Sequence, residues 1–174
     1  MKKICLLICM SLLALFCFAD VNDGKEEILK TDWPDEYNWK VLQNQNDDFI
    51  RFTEIIPGNE DENNWTLIGT MTAIKKIGFS LDSIINMYQE ASRSESRDAK
   101  FTIIEKDNNN KFAIFKIEAE KYKDDDNPES SLHIVILGRD SVYTNTIGIK
   151  QAKLSESFES KWIEILKKYE IIYQ

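Results

Sequence analysis

The chain has 174 residues, 30% of them charged, with 22 Lys and Arg against 30 Asp and Glu and a formal net charge of -8. A surface of that sign repels nucleic-acid phosphates, and no basic patch offsets it: Lys75-Lys76 and Lys167-Lys168 are only pairs. All three cysteines, Cys5, Cys9 and Cys17, lie near the start, so the rest of the chain excludes disulfides, thiolate nucleophiles and cysteine-held metals.

Lys2 and Lys3 open the chain with positive charge, and residues 4–18 follow as an apolar run of 15. Cys17 and Ala19 then put small side chains at the two positions a signal peptidase reads. A secretory signal peptide is expected over residues 1–19, cut between Ala19 and Asp20. The run is short for a transmembrane helix, which needs roughly 20 apolar residues, and no later stretch approaches that length. The expected location is exported, periplasmic or secreted, with no membrane span in the mature chain. Lipidation at Cys17 is the rival reading, and the bulky Phe16 before it fits badly. Removing Lys2 and Lys3 leaves 20 basic against 30 acidic residues, a formal charge of -10, on the remaining 155. A chain of that size buries about 68–70% of its unfolded surface, enough for one core.

Residues 20–31 are polar and charged, include Gly24, and read as a flexible lead-in. A single folded unit is expected over residues 32–174. Pro34 biases Trp33 toward extended backbone. A short strand is expected at 39–43, with its turn at 44–47. Residues 49–56 alternate, with Ile50, Phe52 and Ile56 on one side, and Pro57-Gly58 stops them. An acidic loop at 59–64 precedes a strand at 65–75, in which Trp65, Leu67, Met71 and Ala73 share a face. Gly69 within it signals a bulge or a close approach. Ser80 is placed to cap a helix, with Asp82 in its positive first turn and Phe79 set to pack on Ile84. Leu81, Ile84, Ile85, Tyr88 and Ala91 form its apolar stripe, and residues 92–97 make a polar link.

The stretch 101–150 holds four strands and organises the rest. Residues 101–105 and 112–119 flank an Asn-rich turn, the pattern of a hairpin. Ala113, Phe115, Ile117 and Ala119 share one face; Lys116 and Glu118 turn the other polar, so that face is expected to be wet toward its end. An exposed loop with Pro128 spans 122–131. Residues 132–137 are apolar on both faces except for His133, as in a central strand. A turn at 138–141 leads to a last alternating run at 142–149. Short connections imply antiparallel neighbours. Ser155 opens a second helix with Phe158, Trp162, Ile165, Leu166 and Tyr169 as its stripe, and Ile171, Ile172 and Tyr173 end the chain as a docked tail. The order is β-β-β-α-β-β-β-β-α. The class is α+β: a mainly antiparallel sheet of about six to seven strands covered by two amphipathic helices.

No G-x-S-x-G, H-E-x-x-H, P-loop or G-x-G-x-x-G occurs. The single histidine, His133, sits mid-strand without a second His or Cys to share a metal, and is read as structural. No catalytic residue, metal or cofactor is therefore assigned. The acidic stretches Glu60-Asp61-Glu62-Asn63 and Asp124-Asp125-Asp126-Asn127 lack the EF-hand spacing and its glycine, and read as solvated loops. Asn64-Trp65-Thr66 fits a glycosylation sequon, which carries no weight in a bacterial chain of the kind the signal peptide suggests. Tryptophan at an element edge beside amides suits a partner or a sugar ring. Trp65 with Asn64 and Glu60, and Trp33 before Pro34, are thus the candidate partner-binding residues. Packing at the rim of the core is the competing reading for both rings, and Trp162 reads as core.

Glu54-Ile55-Ile56-Pro57-Gly58-Asn59-Glu60, followed by Asn63-Asn64-Trp65-Thr66, resembles a pattern in small uncharacterised bacterial exported proteins. There a strand ends at a Pro/Gly turn and Trp-Thr or Trp-Ser opens the next. The element order is similar to the PsbP-like sandwich. That resemblance implies helices over an antiparallel sheet, and binding or assembly in place of catalysis; it identifies no residue. Three functions stand as expectations. The first is a non-catalytic exported binding or accessory protein acting through protein or envelope contacts. The second is an inhibitor or immunity protein whose acidic surface steers toward a secreted toxin. The third is a hydrolase using two carboxylates about 5–9.5 Å apart.

Overall fold

Period-two alternation and short polar turns lay most of the chain out as strands. The computed structural model describes residues 25–75, 78–123 and 126–174. The expected signal peptide, its Ala19/Asp20 cleavage point and Cys17 lie outside them, as do Asp124 and Asp125. In chain order the elements are β1 (Glu27–Thr31), a 3-10 turn (Asp35–Tyr37), β2 (Lys40–Asn46), β3 (Ile50–Ile56), β4 (Leu67–Lys75) and α1 (Leu81–Glu95). Then come β5 (Lys100–Lys106), β6 (Phe112–Ala119), β7 (Glu129–Leu137), β8 (Ser141–Ile149), α2 (Glu156–Leu166) and β9 (Tyr169–Tyr173). Seven strands form one antiparallel sheet in the order β2-β3-β4-β8-β7-β6-β5, and β1 and β9 form a separate two-stranded ribbon. The class is α+β, as expected.

Alternation sends the side chains of the central strands to two faces. Ala113, Phe115, Ile117, Val135 and Val142 pack with Leu81, Ile84, Ile85 and Tyr88 of α1. Ile114, Leu132, Ile134, Ile136 and Ile147 pack with Trp162 and Leu166 of α2. The helices therefore cover opposite faces, and β8 is buried along its whole length. Each fully buried side chain of this size contributes roughly 1.5–3 kcal/mol by leaving water.

Local signals hold at several points. Ser80 caps α1: its hydroxyl accepts from Ser83 N at 3.1 Å, while Ser83 Oγ accepts from Ser80 N at 3.0 Å. Ser155 caps α2 by accepting from Phe158 N at 3.2 Å. In the β5–β6 turn Asp107 accepts from two backbone N–H groups, and Asn110 takes a left-handed φ of 54°.

Four expectations need correction. Residues 27–31, expected within a flexible lead-in, form β1, because a strand at the other end of the chain pairs with it: Glu27 lies opposite Tyr173 and Thr31 opposite Tyr169. Tyr169 accordingly leaves the α2 stripe and starts β9. The polar end of β6 is not wet. Lys116 lies between Glu118 and Glu159 of α2 with its side chain only 18% exposed, and Glu118 accepts from Leu154 N at 3.0 Å. Helix α1 continues through 92–95, since Ser92 is buried and its hydroxyl donates to the Gln89 carbonyl at 2.8 Å. At Gly69 the close approach is the one found: an added Cβ would meet Trp33 at 2.8 Å.

Candidate functional site

One end of the sheet gathers the segment before β2 and the loop between β3 and β4. Gly58 N donates to Tyr37 O at 3.1 Å and ties the two together. The 3-10 turn closes with Asn38 N donating to Asp35 O at 2.9 Å, and Asn38 adopts φ 47°. Trp39 Nε1 donates to the Pro34 carbonyl at 2.9 Å. Trp33 lies edge-on to Trp39 at 5.6 Å, and Tyr37 stacks on Trp162 at 5.8 Å. The ammonium of Lys161 sits 5.0 Å from the Tyr37 ring centroid and donates to Glu36 at 2.6 Å. That bond, and a second at 2.9 Å to the Tyr37 hydroxyl, raise the lysine pKa, the one to Glu36 most of all.

The four nominated residues have different surroundings. Trp33 is half-buried against Gly69, with its Nε1 3.1 Å from Met71 Sδ. Trp65 is 6% exposed, and Lys150 Nζ stands 4.6 Å from its ring centroid. The Glu60 carboxylate accepts from Thr66 N at 2.8 Å and from the Thr66 hydroxyl, which pins the loop onto β4. Asn64 is exposed at the loop tip, where Asp61 accepts from its backbone N–H and from Asn63 N. Those bonds, Asn63 N first, hold Asp61 below the usual carboxylate range. Asp61 and Glu62, read from sequence only as part of a solvated acidic loop, are exposed on the same edge as Asp35 and Glu36; those two acids and the half-buried rings of Tyr37 and Trp39 were not singled out from sequence. The available signal was the clustering of Trp33, Tyr37 and Trp39 among acids around Pro34.

The opposite end is organised by Glu27, which is 3% exposed. Its carboxylate accepts from Arg139 N at 2.6 Å, from Asp140 N and Ser141 N at 3.2 Å, and from the hydroxyls of Tyr143 at 3.2 Å and Tyr173 at 3.1 Å. The turn between β7 and β8 thus works as a nest of N–H donors for a carboxylate more than a hundred residues earlier. Gly138 lets the carboxylate approach, since a Cβ there would fall 2.2 Å from Glu27 Oε1. Burial and the neighbouring carboxylate both push the Tyr143 phenol pKa up.

His133 bridges Thr146 Oγ1 at 2.9 Å and Ser131 Oγ at 2.8 Å, and stacks on Phe115 at 4.8 Å. Ser131 and His133 have the separation of a nucleophile and its base. Yet burial pushes the imidazole pKa down to about 3, and the third partner is a neutral hydroxyl. So weak a base takes little of a proton at neutral pH. Near the starts of β5 and β7, an open cleft of about 510 Å³ is lined by Asp98, Lys100, Glu118, Glu120 and Lys153. Of its three acids, Glu118 is already bonded to Leu154 N. Among the described residues no three His, Cys, Asp or Glu side chains converge as a metal site requires, and no helix is long and apolar enough to cross a membrane.

No family model and no curated protein sequence matches the chain. The fold is similar to that of Mog1. A point mutant of protein Mog1 superposes with a TM-score of 0.54 at 10% identity, over 84% of this chain and 95% of that one. The Ran-binding protein Mog1p of Saccharomyces cerevisiae gives 0.52 at 10% identity, with the same coverage. LpqN of Mycobacterium tuberculosis, described as involved in cell envelope biogenesis, gives 0.51 at 9% identity over 86% of each chain. Identities this low show the fold alone. The Mog1/PsbP-like architecture is the likeness that element order implied.

Proposed function

We propose that the chain is a non-catalytic, exported accessory protein that meets a protein or envelope partner through the rim built from residues 33–39 and 57–65. The observation that carries this reading is the Gly58–Tyr37 bond. It brings exposed Asp35, Glu36, Asp61, Glu62 and Asn64 onto one edge around half-buried Tyr37 and Trp39. Rings supply contact area and the acids supply orientation, a combination suited to a partner rich in Lys and Arg. Trp33, Trp65 and Glu60 serve this rim as supports that fix its two segments, and Asn64 is its outermost contact. The signal peptide read from residues 1–19 supports export. Likeness of fold to a Ran-binding protein and to an envelope-biogenesis protein supports an accessory role by analogy only. Inhibition of a basic secreted toxin would use the same acidic rim and would differ in forming a tight complex with that toxin.

A photo-crosslinking side chain placed at Asn64, and separately at exposed Glu170 on β9, tests the assignment in the native host. The expected result is a discrete adduct from position 64 that is lost on combined Asp61→Lys and Glu62→Lys substitution. Equal adducts from both positions, or none from position 64, would remove the rim from consideration.

A further inference from the structure

The seven-stranded sheet has two open edges, β2 and β5, each paired on one side only. A strand so placed turns the N–H and C=O of every second residue to solvent, where an added strand bonds them. Both edges carry a bulge, between Val41 and Gln43 in β2 and between Ile103 and Glu105 in β5. Their side chains differ. Beyond exposed Val41 and half-buried Leu42, β2 runs on as Gln43-Asn44-Gln45-Asn46. In β5 the adjacent Ile103 and Ile104 are 50% and 36% exposed. Phe101 and Ile103 lie opposite Ile117 and Phe115, so they carry the apolar face beneath α1 out to the margin of the sheet.

Lysines stand at the two ends of this strand, on opposite faces. Lys100 is exposed opposite Glu118, whose carboxylate already meets Lys116 at 3.5 Å and Leu154 N at 3.0 Å on the α2 side. Lys106 lies on the α1 side, donating to Asp82 at 2.6 Å. An ammonium has three donors, so Lys106 takes a further carboxylate while it keeps Asp82. Were two copies to join antiparallel through β5 in full register, Lys100 of each would face Lys106 of the other. Like charges directly opposite are destabilising, and opposite charges are stabilising. The edge therefore selects against its own copy and for a strand with acids at both ends.

We propose that β5 takes up an extended segment of a partner protein, apolar at alternate residues and acidic at both ends, as an eighth strand of the sheet. Backbone bonds supply the attachment and the flanking side chains choose the sequence. Because the bulge gives β5 one extra residue, six residues of the added strand span its seven. Laid antiparallel, the sequence Glu-Thr-Val-Thr-Val-Glu sets its acids beside Lys106 and Lys100 and its valines beside Ile103 and Phe101. This surface uses none of the residues of the rim at 33–39 and 57–65, so the two stand or fall separately.

Fluorescence anisotropy of that peptide, labelled and titrated with the full chain, tests the assignment. Saturable one-to-one binding is expected, with slowed hydrogen exchange in β5. Replacing both glutamates of the peptide by glutamine should weaken binding about threefold or more. Replacing its central valine by proline should abolish it, since proline cannot donate to the ladder. Ile103→Lys, at an exposed position where circular dichroism should stay unchanged, should weaken binding about tenfold, and Val41→Lys on the other edge should leave it unchanged. Absence of saturable binding, equal affinity for the glutamate and glutamine peptides, or equal losses from Ile103→Lys and Val41→Lys would overturn the proposal. So would sedimentation showing that the chain alone forms a dimer that Ile103→Lys dissociates, which would give this edge to a second copy.

Discussion

The two faces of the sheet are covered by different means. The α1 face is closed by a helix that connects adjacent elements, and its stripe meets residues of β6 and β7 from the next part of the chain. The α2 face is closed by α2 together with the two ends of the described chain: the β1–β9 ribbon, and the segment from Trp33 to Trp39 lying against Trp162. One cover is local and periodic. The other is an assembly of short pieces that have no stable structure apart from each other, since a lone two-stranded ribbon is marginal in water. Damage to the second cover should therefore spread along it, while damage to the first should stay with its helix.

The largest effect is expected from Trp162→Ala. The ring is fully buried and touches Trp33, Tyr37, Trp39 and Phe158. A loss of about 3–5 kcal/mol in denaturant unfolding is expected, with early hydrogen exchange in β1 and β9. Exchange confined to α2 would break the contrast between the faces.

The α1 face carries the pH dependence. His133 titrates near 6.5 when unfolded and, because of burial, near 3 in the fold. Below pH 6.5 the unfolded chain binds a proton that the folded chain does not. Stability is therefore complete above 6.5 and falls as pH drops toward 3, by roughly 4 kcal/mol from this group alone. His133→Gln should flatten that slope in unfolding measured across the interval, and an unchanged slope would show that the imidazole is not its source.

Glu27→Ala takes the acceptor from the N–H groups of Arg139, Asp140 and Ser141, while Tyr143 keeps its bond to the backbone carbonyl of residue 27, and is expected to cost about 3 kcal/mol. Gly138→Ala should produce the same release of β1 from the opposite partner, visible as matching exchange patterns. Opposed patterns would mean that the carboxylate does not hold the ribbon. The smallest effect is expected from Ser80→Ala, about 1 kcal/mol with loosening of the first turn of α1 only. Spread of that change to the ribbon would erase the distinction between local and assembled cover.

The sequence alone determined the elements whose reasons are local. Alternation, the Pro57-Gly58 stop, the Ser80 and Ser155 caps and the Asn110 turn each depend on neighbours within a few residues, and they led to the α+β class. Trp33, Glu60, Asn64 and Trp65 were nominated from sequence; that Trp33 is half-buried and Trp65 buried was a matter of packing. Tertiary structure alone decided which helix covers which face, the burial of Lys116 beneath α2, and the pairing of residues 27–31 with 169–173. Those outcomes depend on groups outside any local window: Lys116 and Glu159 are 43 positions apart, and the strands of the ribbon come from opposite ends of the described chain. A glutamate in a polar lead-in looks like any solvated acid until the N–H groups that bind it are folded into place.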